Sequence, residues 1–318
     1  MKIIAAVATD KGRIRIHNED CWFLNGKVMG DNGLHEHVTE SEEFDGQTAL
    51  YAVCDGMGGA QGGEVASRIT SVGLTDAINE TEDRLQERVR TINQSVFDEL
   101  AGKGGTTISG IQLNGHQYRT LNIGDSRTYL LRDGTLTQLT RDHSEVQLLL
   151  DLGAITPEQA KNYKRRNVIT RCVGSDPAED NVMADISEWK DLRVDDCFMI
   201  VSDGVCGSLS EEEMTEILVQ NSVADAAEKL TVQAVSAGSK DNVTAIVIRI
   251  TEVEVPSASR EPSAREIKDI PTVRSGKPAQ DKAERILLIA IAVLCIAALC
   301  IMYIRHRDTV AFLERIAK

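Results

Sequence analysis

Residues 51–64 read YAVCDGMGGAQGGE, and the rest of the chain can be interpreted outward from them. The apolar run from Tyr51 to Cys54 is bounded by turn-forming residues, which is typical of a buried strand. Asp55 follows at the strand end, with glycines at positions 56, 58, 59, 62 and 63. Because glycine lets the backbone approach a ligand closely, this arrangement favours cation binding. A glycine-rich turn beside a solvated Asp is the alternative, and a P-loop is disfavoured because no Gly-Lys-Ser/Thr follows.

The composition indicates an acidic globular protein. The 318 residues are 42% hydrophobic and 26% charged, with a formal net charge of −14. Residues 256–318 contain 11 Lys/Arg and 7 Asp/Glu, so residues 1–255 carry a net charge of −18. This charge argues against nonspecific binding to nucleic acid and suits the binding of cations. Seven cysteines without a CxxC pair suggest neither a zinc site nor a disulfide framework, and they point to a reducing compartment.

Hydrophobic periodicity predicts a series of strands and helices. We expect strands at residues 3–8, 51–54, 106–113, 117–123, 127–131, 136–139, 197–202 and 243–250. We expect helices at residues 64–79, 85–100, 145–152, 211–220 and 223–236. Residues 31–48 are polar and acidic without periodicity, so we predict a surface loop, in which His35 and His37 are interpreted as solvated side chains rather than metal ligands.

Four aspartates stand at predicted strand ends and have Gly or Asn beside them. They are Asp55, Asp125, Asp203 and Asp241. A single Asp in such a place is commonplace. Four are more easily explained as a shared cluster of oxygen ligands for hard divalent cations.

A basic segment interrupts the acidic sequence between residues 156 and 171. It contains Lys161, Lys164, Arg165, Arg166 and Arg171. One interpretation is a solvated helical face, because runs of charge usually are solvated. The other is a flap that meets a phosphorylated or acidic substrate.

Six short motifs follow one another along the chain: Arg15-x-x-Asn18-Glu19-Asp20, Asp55-Gly56-Met57-Gly58-Gly59, Gly105-Thr106-Thr107, Gly124-Asp125-Ser126-Arg127, Ser202-Asp203-Gly204 and Lys240-Asp241-Asn242. In this order they resemble the metal-dependent protein phosphatases of the protein phosphatase 2C class, and its bacterial members in particular. The resemblance covers about residues 1–252. It implies an α+β fold, a β-sandwich of two antiparallel sheets flanked by helices in αββα layers. It also implies hydrolysis of phosphoserine and phosphothreonine on proteins by a metal-activated water.

The resemblance further implies a centre of two manganese or magnesium ions, with a third in bacterial relatives. Asp55 would bridge the two ions, and the carbonyl group of Gly56 would ligate one of them. Asp203 and Asp241 would ligate the other. Asp125 would help Asp203 to bind the third ion. Two cations can clamp both the nucleophile and the phosphoryl oxygens, which agrees with this reaction.

The first motif would supply the substrate contact and part of the metal centre. Arg15 matches the arginine that grips the substrate phosphate, and Glu19 and Asp20 would hold waters of the metal centre. Animal members of the class carry a His after the Asp-Gly, whereas this chain has Met57. The general acid is therefore unassigned, with a metal-bound water as our hypothesis. For His17 we expect a structural role. The family usually has His-Pro near residues 162–163, where this chain has Asn-Tyr, so the conformation of the flap is left open.

The C-terminal part predicts a membrane anchor. Residues 253–285 contain four prolines and no sustained apolar period, so we predict a flexible linker. Residues 286–304 are 19 uncharged residues, enough for a transmembrane helix, and residues 305–318 form a short tail. A buried core helix is the alternative. The first residues lack the length of a signal peptide, so we expect a single-pass protein of the cytoplasmic membrane with its catalytic domain in the cytoplasm and its tail exported.

The sequence therefore favours a membrane-tethered phosphatase that opposes a bacterial Ser/Thr kinase. One alternative is a catalytically inert module of the same fold that binds phosphoproteins or acts as a scaffold. Another is a stress or developmental regulator with one dedicated partner, although the sequence shows no appended sensor domain. Carboxylates at every matched metal position favour the enzyme.

Overall fold

The computed structural model describes residues 1–58, 62–178 and 182–253, which lie in one unit, Met1–Ser257. The predicted linker lies outside the described residues except for its first residue, and the transmembrane helix predicted at residues 286–304 and the predicted tail lie outside them entirely. Within the described residues, no helix is long and apolar enough to cross a membrane.

Fifteen strands and seven α-helices make up the described part of the chain. The strands are β1 Lys2–Asp10, β2 Cys21–Leu24, β3 Lys27–Val28, β4 Val38–Asp45, β5 Thr48–Cys54, β6 Gly56–Met57, β7 Gly105–Thr106, β8 Ile108–Asn114, β9 Gln117–Ile123, β10 Arg127–Arg132, β11 Thr135–Gln138, β12 Asp185–Ile186, β13 Lys190–Asp191, β14 Cys197–Val201 and β15 Val243–Glu252. The α-helices are α1 Gly62–Gly73, α2 Glu82–Leu100, α3 Glu145–Asp151, α4 Pro157–Lys161, α5 Asp203–Cys206, α6 Glu211–Gln220 and α7 Val223–Ser236.

Two antiparallel sheets pack face to face and enclose the main core. One has six strands in the order β11-β10-β14-β15-β1-β4. The other has seven, in the order β12-β9-β8-β5-β2-β3, with β13 also paired to β9. Trp22 and Tyr51 of the second sheet lie in the same buried cluster as Phe198 and Ile248 of the first. The predicted β-sandwich is confirmed.

Helices cover the outer face of each sheet, which gives four layers. Apolar residues of α6 and α7 form a second buried cluster with the six-stranded sheet, and those of α1 and α2 form a third with the other sheet. The sequence of strand β15 is continuously apolar because both faces of the strand are buried. Ile246 and Ile248 point into the sandwich, whereas Ala245 and Val247 point to the helices, because successive strand side chains alternate.

The prediction of a surface loop at residues 31–48 is wrong for most of that segment. It contains a 3₁₀ turn, Asp31–Leu34, and the eight-residue strand β4, which pairs with β1 along its length. The ladder of an edge strand uses backbone groups on one side only, so exposed acidic side chains do not prevent it and they discourage further strand pairing. Only Phe44 of this strand packs onto the core cluster, which explains the missing hydrophobic period.

Strand pairing brings the motif-bearing ends to one edge of the sandwich. The end of β5 lies opposite the start of β2, as Cys54 pairs with Cys21. In the other sheet, the end of β1 lies beside the start of β15, as Asp10 pairs with Val243. In an antiparallel sheet the end of one strand adjoins the start of its neighbour, so motifs far apart in sequence become neighbours.

Candidate metal centre

A cleft of about 260 Å³ opens at this edge. Its lining consists of Arg15, Glu19, Asp55, Gly56, Met57, Gly58, Thr107, Asp125, Asn167, Ile169, Asp203 and Asp241. All four strand-end aspartates are in this set. The structure therefore brings together seven of the eight residues that the sequence marked as site residues.

Backbone and hydroxyl contacts fix the position of Asp55 at the end of β5. Its N–H donates to Thr107 Oγ1 at 2.9 Å, and its carbonyl accepts from Thr106 Oγ1 at 2.9 Å. The next residue must be glycine, since a Cβ on Gly56 would lie 2.4 Å from the carbonyl oxygen of Glu19. The strand end and the first motif are thus packed backbone to backbone, which holds the two carboxylate-bearing segments together.

Three of the cleft aspartates, Asp55, Asp125 and Asp203, hold their protons more tightly than free aspartates, because the pKa of each is raised. Burial raises the pKa of Asp55 well above its ordinary value, and the carboxylates of Asp20 and Asp203 raise it further. Burial is also the main cause for Asp125, whose pKa is raised to about 7, and for Asp203, whose pKa is raised to about 6. Crowded carboxylates repel one another, and a bound cation relieves that repulsion.

Asp20 is the predicted site residue that does not line the cleft. It lies below the cleft with 1% of its surface exposed. Its Oδ2 accepts from Ser202 Oγ at 2.8 Å and from Thr244 Oγ1 at 2.7 Å. Burial raises the pKa of Asp20 to about 7, and the two hydroxyl donors oppose that rise. Its predicted contact to water of a metal centre stays a prediction.

Arg15 lies at the mouth of the cleft. Its Nη2 is 2.7 Å from Asp241 Oδ2, and its Nη1 is 3.7 Å from Glu19 Oε2. The side chain of Arg15 is 43% exposed. A guanidinium in this position can offer N–H groups to an anion that enters the cleft.

Asn242 holds the loop that carries Arg15, a role that its place after Asp241 in the sequence did not predict. This buried residue accepts from the Glu19 N–H at 2.8 Å through its Oδ1. Its Nδ2 donates to the carbonyls of Lys11 at 2.9 Å and His17 at 3.0 Å. One amide thus fixes both sides of Arg15, which explains why Asn follows Asp241.

Within the described part of the chain, no histidine lines the cleft, so no cleft histidine is available there to protonate a leaving group. Met57 lines the cleft, whereas the rings of His17 and His35 meet edge to face with their centroids 6.2 Å apart. His37 Nδ1 lies 3.3 Å from Asp10 Oδ2 rather than in the cleft. Both His35 and His37 are exposed, which agrees with their interpretation as solvated side chains.

The donor set fits hard divalent cations. The candidate ligands are carboxylates together with the Gly56 carbonyl, and manganese and magnesium prefer oxygen ligands. Among residues 1–58, 62–178 and 182–253, no three His, Cys, Asp or Glu side chains converge tightly enough to enclose an ion by themselves. The candidate carboxylates line the cleft, and hard cations commonly take water oxygens as further ligands.

Comparisons with known proteins show which family the chain is similar to. Residues 24–148 match the family model described as protein phosphatase 2C. The Ser/Thr phosphatase stp of Listeria welshimeri is 34% identical over 260 residues, covering 77% of this chain and 94% of the relative. The Ser/Thr protein phosphatase PstP of Mycobacterium tuberculosis is 31% identical over 260 residues, covering 78% of this chain but 45% of the relative. The chain thus matches less than half the length of PstP.

Solved structures show the same fold. The crystal structure of M. tuberculosis PstP/Ppp superposes with a TM-score of 0.66 at 30% identity, covering 79% of this chain and all of that one. The catalytic domain of PstP in complex with two manganese ions gives a TM-score of 0.64 at 30% identity, with the same coverage.

Proposed function

The chain belongs to the protein phosphatase 2C family, and on that premise we propose that it hydrolyses phosphoserine and phosphothreonine in proteins. The observation that carries the proposal is the shared cleft, in which the Arg15 guanidinium stands beside four aspartates from four separate segments. A phosphate ester needs a cationic partner for its own charge and a strongly activated water. A cleft that offers both an arginine and cation ligands can supply these two requirements.

The oxygen donors of the cleft would hold the ions. Asp55 and the Gly56 carbonyl would serve one ion, Asp55, Asp203 and Asp241 a second, and Asp125 with Asp203 a third. Manganese or magnesium bound there would activate the attacking water and offset negative charge on the phosphoryl oxygens. The PstP catalytic domain with two manganese ions supports this choice of cofactor.

The chain's own residues would bind and orient the substrate. Arg15 would exchange its contact with Asp241 for two parallel N–H contacts to the phosphate, which a lysine could not reproduce. Asn242 would keep the Arg15 loop and the Glu19 backbone in register. Because no histidine lines the cleft within the described residues, we assign protonation of the leaving alkoxide to a water molecule.

The test is hydrolysis of a phosphothreonine peptide by the full-length chain in a mild detergent. Turnover should require manganese, stop when EDTA is added, and fall at least 100-fold in Asp203→Asn. Asp133→Asn is the matched control, because Asp133 is 83% exposed in a turn and its φ of 53° suits Asn. Metal-independent turnover would refute the metal mechanism. Tight binding of phosphopeptide without turnover would favour the alternative, an inert phosphoprotein-binding or scaffold module.

We further propose that the chain is anchored in the cytoplasmic membrane and opposes a Ser/Thr kinase there. The uncharged residues 286–304 support the anchor, and tethering would raise the effective concentration of substrates at the membrane. Carbonate washing of membranes should leave the chain in the pellet. In intact spheroplasts, external protease should remove a tag placed after residue 318 and leave the catalytic domain intact. Protection of the tag would contradict the proposed orientation.

A further inference from the structure

The basic segment lies at the rim of the cleft. We use the name flap for residues 145–171, which contain α3 and α4. Its two ends meet beside the cleft, where the Glu145 N–H donates to the Val168 carbonyl at 2.8 Å and the Thr170 N–H donates to the His143 carbonyl at 2.8 Å. Asn167 and Ile169, at the second of these ends, line the cleft. The flap is therefore part of the wall past which a bound peptide must run.

Three basic side chains of the flap form no ion pair within the part of the chain that the structure describes. Arg165 pairs with Glu145 at 2.9 Å, and Arg171 lies 3.0 Å from Asp185. The remaining three, Lys161, Lys164 and Arg166, are exposed and make no ion pair with any described residue. A cluster of unpaired cations on a domain with a charge of −18 contrasts with its surroundings.

The acidic groups that face this cluster offset it only in part. Lys161 contributes to the lowered pKa of Glu158 and Glu212, after the hydrogen bonds at the N-termini of their own helices. Glu145 is already shared, as it accepts from Tyr163 Oη at 2.8 Å and pairs with Arg165. The charge of Lys164 is therefore compensated least, whereas Glu158 and Glu212 offset part of the charge of Lys161.

The basic cluster lies close enough to the cleft to meet the residues that flank a bound phosphorylated side chain. Lys164 precedes Asn167 by three residues, so at most about 11 Å of chain separates their backbones. An extended peptide advances about 3.3 Å per residue, so groups two or three positions from the phosphorylated residue would pass this cluster. That separation is close to the Debye length of about 8–10 Å at physiological salt, so the attraction would act there and disappear at high salt.

We propose that the flap selects phosphoproteins with further negative charge, from acidic side chains or a second phosphate, close to the phosphorylated residue. The inference rests on the proposed phosphatase activity and adds the substrate class. Aspartates of the cleft floor would repel such substrates, but bound cations would offset that charge. An exposed ion pair changes an equilibrium constant by about 1.4- to 5-fold, so two such pairs give about 2- to 30-fold.

The test compares kcat/KM for phosphothreonine peptides with acidic, neutral or basic flanks and for p-nitrophenyl phosphate. The full-length chain is used in a mild non-ionic detergent with manganese. We expect about fivefold preference for the acidic over the neutral peptide at low salt, and no preference at 1 M NaCl. Charge reversal in Lys161→Glu/Lys164→Glu should abolish the preference through KM and leave p-nitrophenyl phosphate unchanged.

Lys190→Glu is the matched control, since Lys190 is exposed and lies opposite Tyr118, five residues before the cleft end of β9. Lys190 therefore lies about 17 Å along the strand from the cleft end of β9. The Lys190→Glu variant should keep the preference for the acidic over the neutral peptide.

Equal rates with all three peptides, or a preference that survives charge reversal, would overturn the inference while the phosphatase proposal stands. Failure to hydrolyse every peptide and p-nitrophenyl phosphate would instead refute the phosphatase proposal. If vesicles that contain phosphatidylglycerol inhibit the wild type but not Lys161→Glu/Lys164→Glu, and flanks have no effect, the flap contacts a membrane surface and the inference is wrong.

Discussion

Replacing Asn242 with alanine should impair both stability and turnover. The side chain is 2% exposed and makes three hydrogen bonds, one accepted from the Glu19 N–H and two donated to the Lys11 and His17 carbonyls. Alanine would leave these buried backbone groups without their partner. Leaving a buried polar group unsatisfied costs about 1–3 kcal/mol. Because water can enter the space beside an exposed loop and satisfy part of this loss, we expect about 3 kcal/mol in total.

The assay is thermal unfolding followed by tryptophan fluorescence, with turnover measured in parallel. For a domain of this size, 1 kcal/mol corresponds to about 2–4 °C, so Tm should fall by about 6–12 °C. Turnover well below Tm should fall about 100-fold, because a displacement of about 1 Å in a positioning element has that effect.

Asn93→Ala is the matched control for Asn242→Ala. Asn93 is also 2% exposed, and it accepts from the Gly174 N–H and donates to the Ser175 carbonyl at 3.0 Å. This variant should lose stability to a similar degree but keep most of its turnover at low temperature. Equal losses of turnover in the two variants, or a Tm shift below 2 °C in Asn242→Ala, would refute the positioning role.

Three further substitutions have defined outcomes. Gly56→Ala should destabilise the folded state by about 3 kcal/mol, because the new Cβ would lie 2.2 Å from the Gly63 carbonyl oxygen. Thermal unfolding measures this loss, and a variant with the Tm of the wild type would show that the two backbone segments can separate there. Arg15→Lys should raise KM for phosphopeptides at least tenfold, since an ammonium cannot make the paired contact, and an unchanged KM would remove Arg15 from substrate binding. Burial raises the pKa of Asp20 to about 7, so the folded state keeps this proton longer than the unfolded state and loses stability as pH rises from about 4 to 7. In metal-free protein, Asp20→Asn should therefore gain Tm relative to wild type between pH 5.5 and pH 8, and a constant difference in Tm would contradict this.

Local sequence was sufficient to predict most elements of the fold. The two helices after the second Asp-Gly motif were predicted at residues 211–220 and 223–236, and the structure has α6 and α7 at these bounds. Their apolar residues recur with the helical period and their N-caps are serines, so nearby residues specify them. Strand β4 was missed because its identity depends on pairing with β1, and an edge strand needs little apolar sequence of its own.

The sequence by itself determined which groups could hold cations, because four aspartates stand beside Gly or Asn at the predicted strand ends. Only the tertiary structure decided how those groups meet. The Arg15–Asp241 contact joins residues 226 positions apart, and Asp20 binds a hydroxyl 224 positions away. Strand register sets such distances, and it places Asp125 at the cleft but Asp20 beneath it. Pairing across antiparallel sheets is non-local, so no segment read alone contains this information.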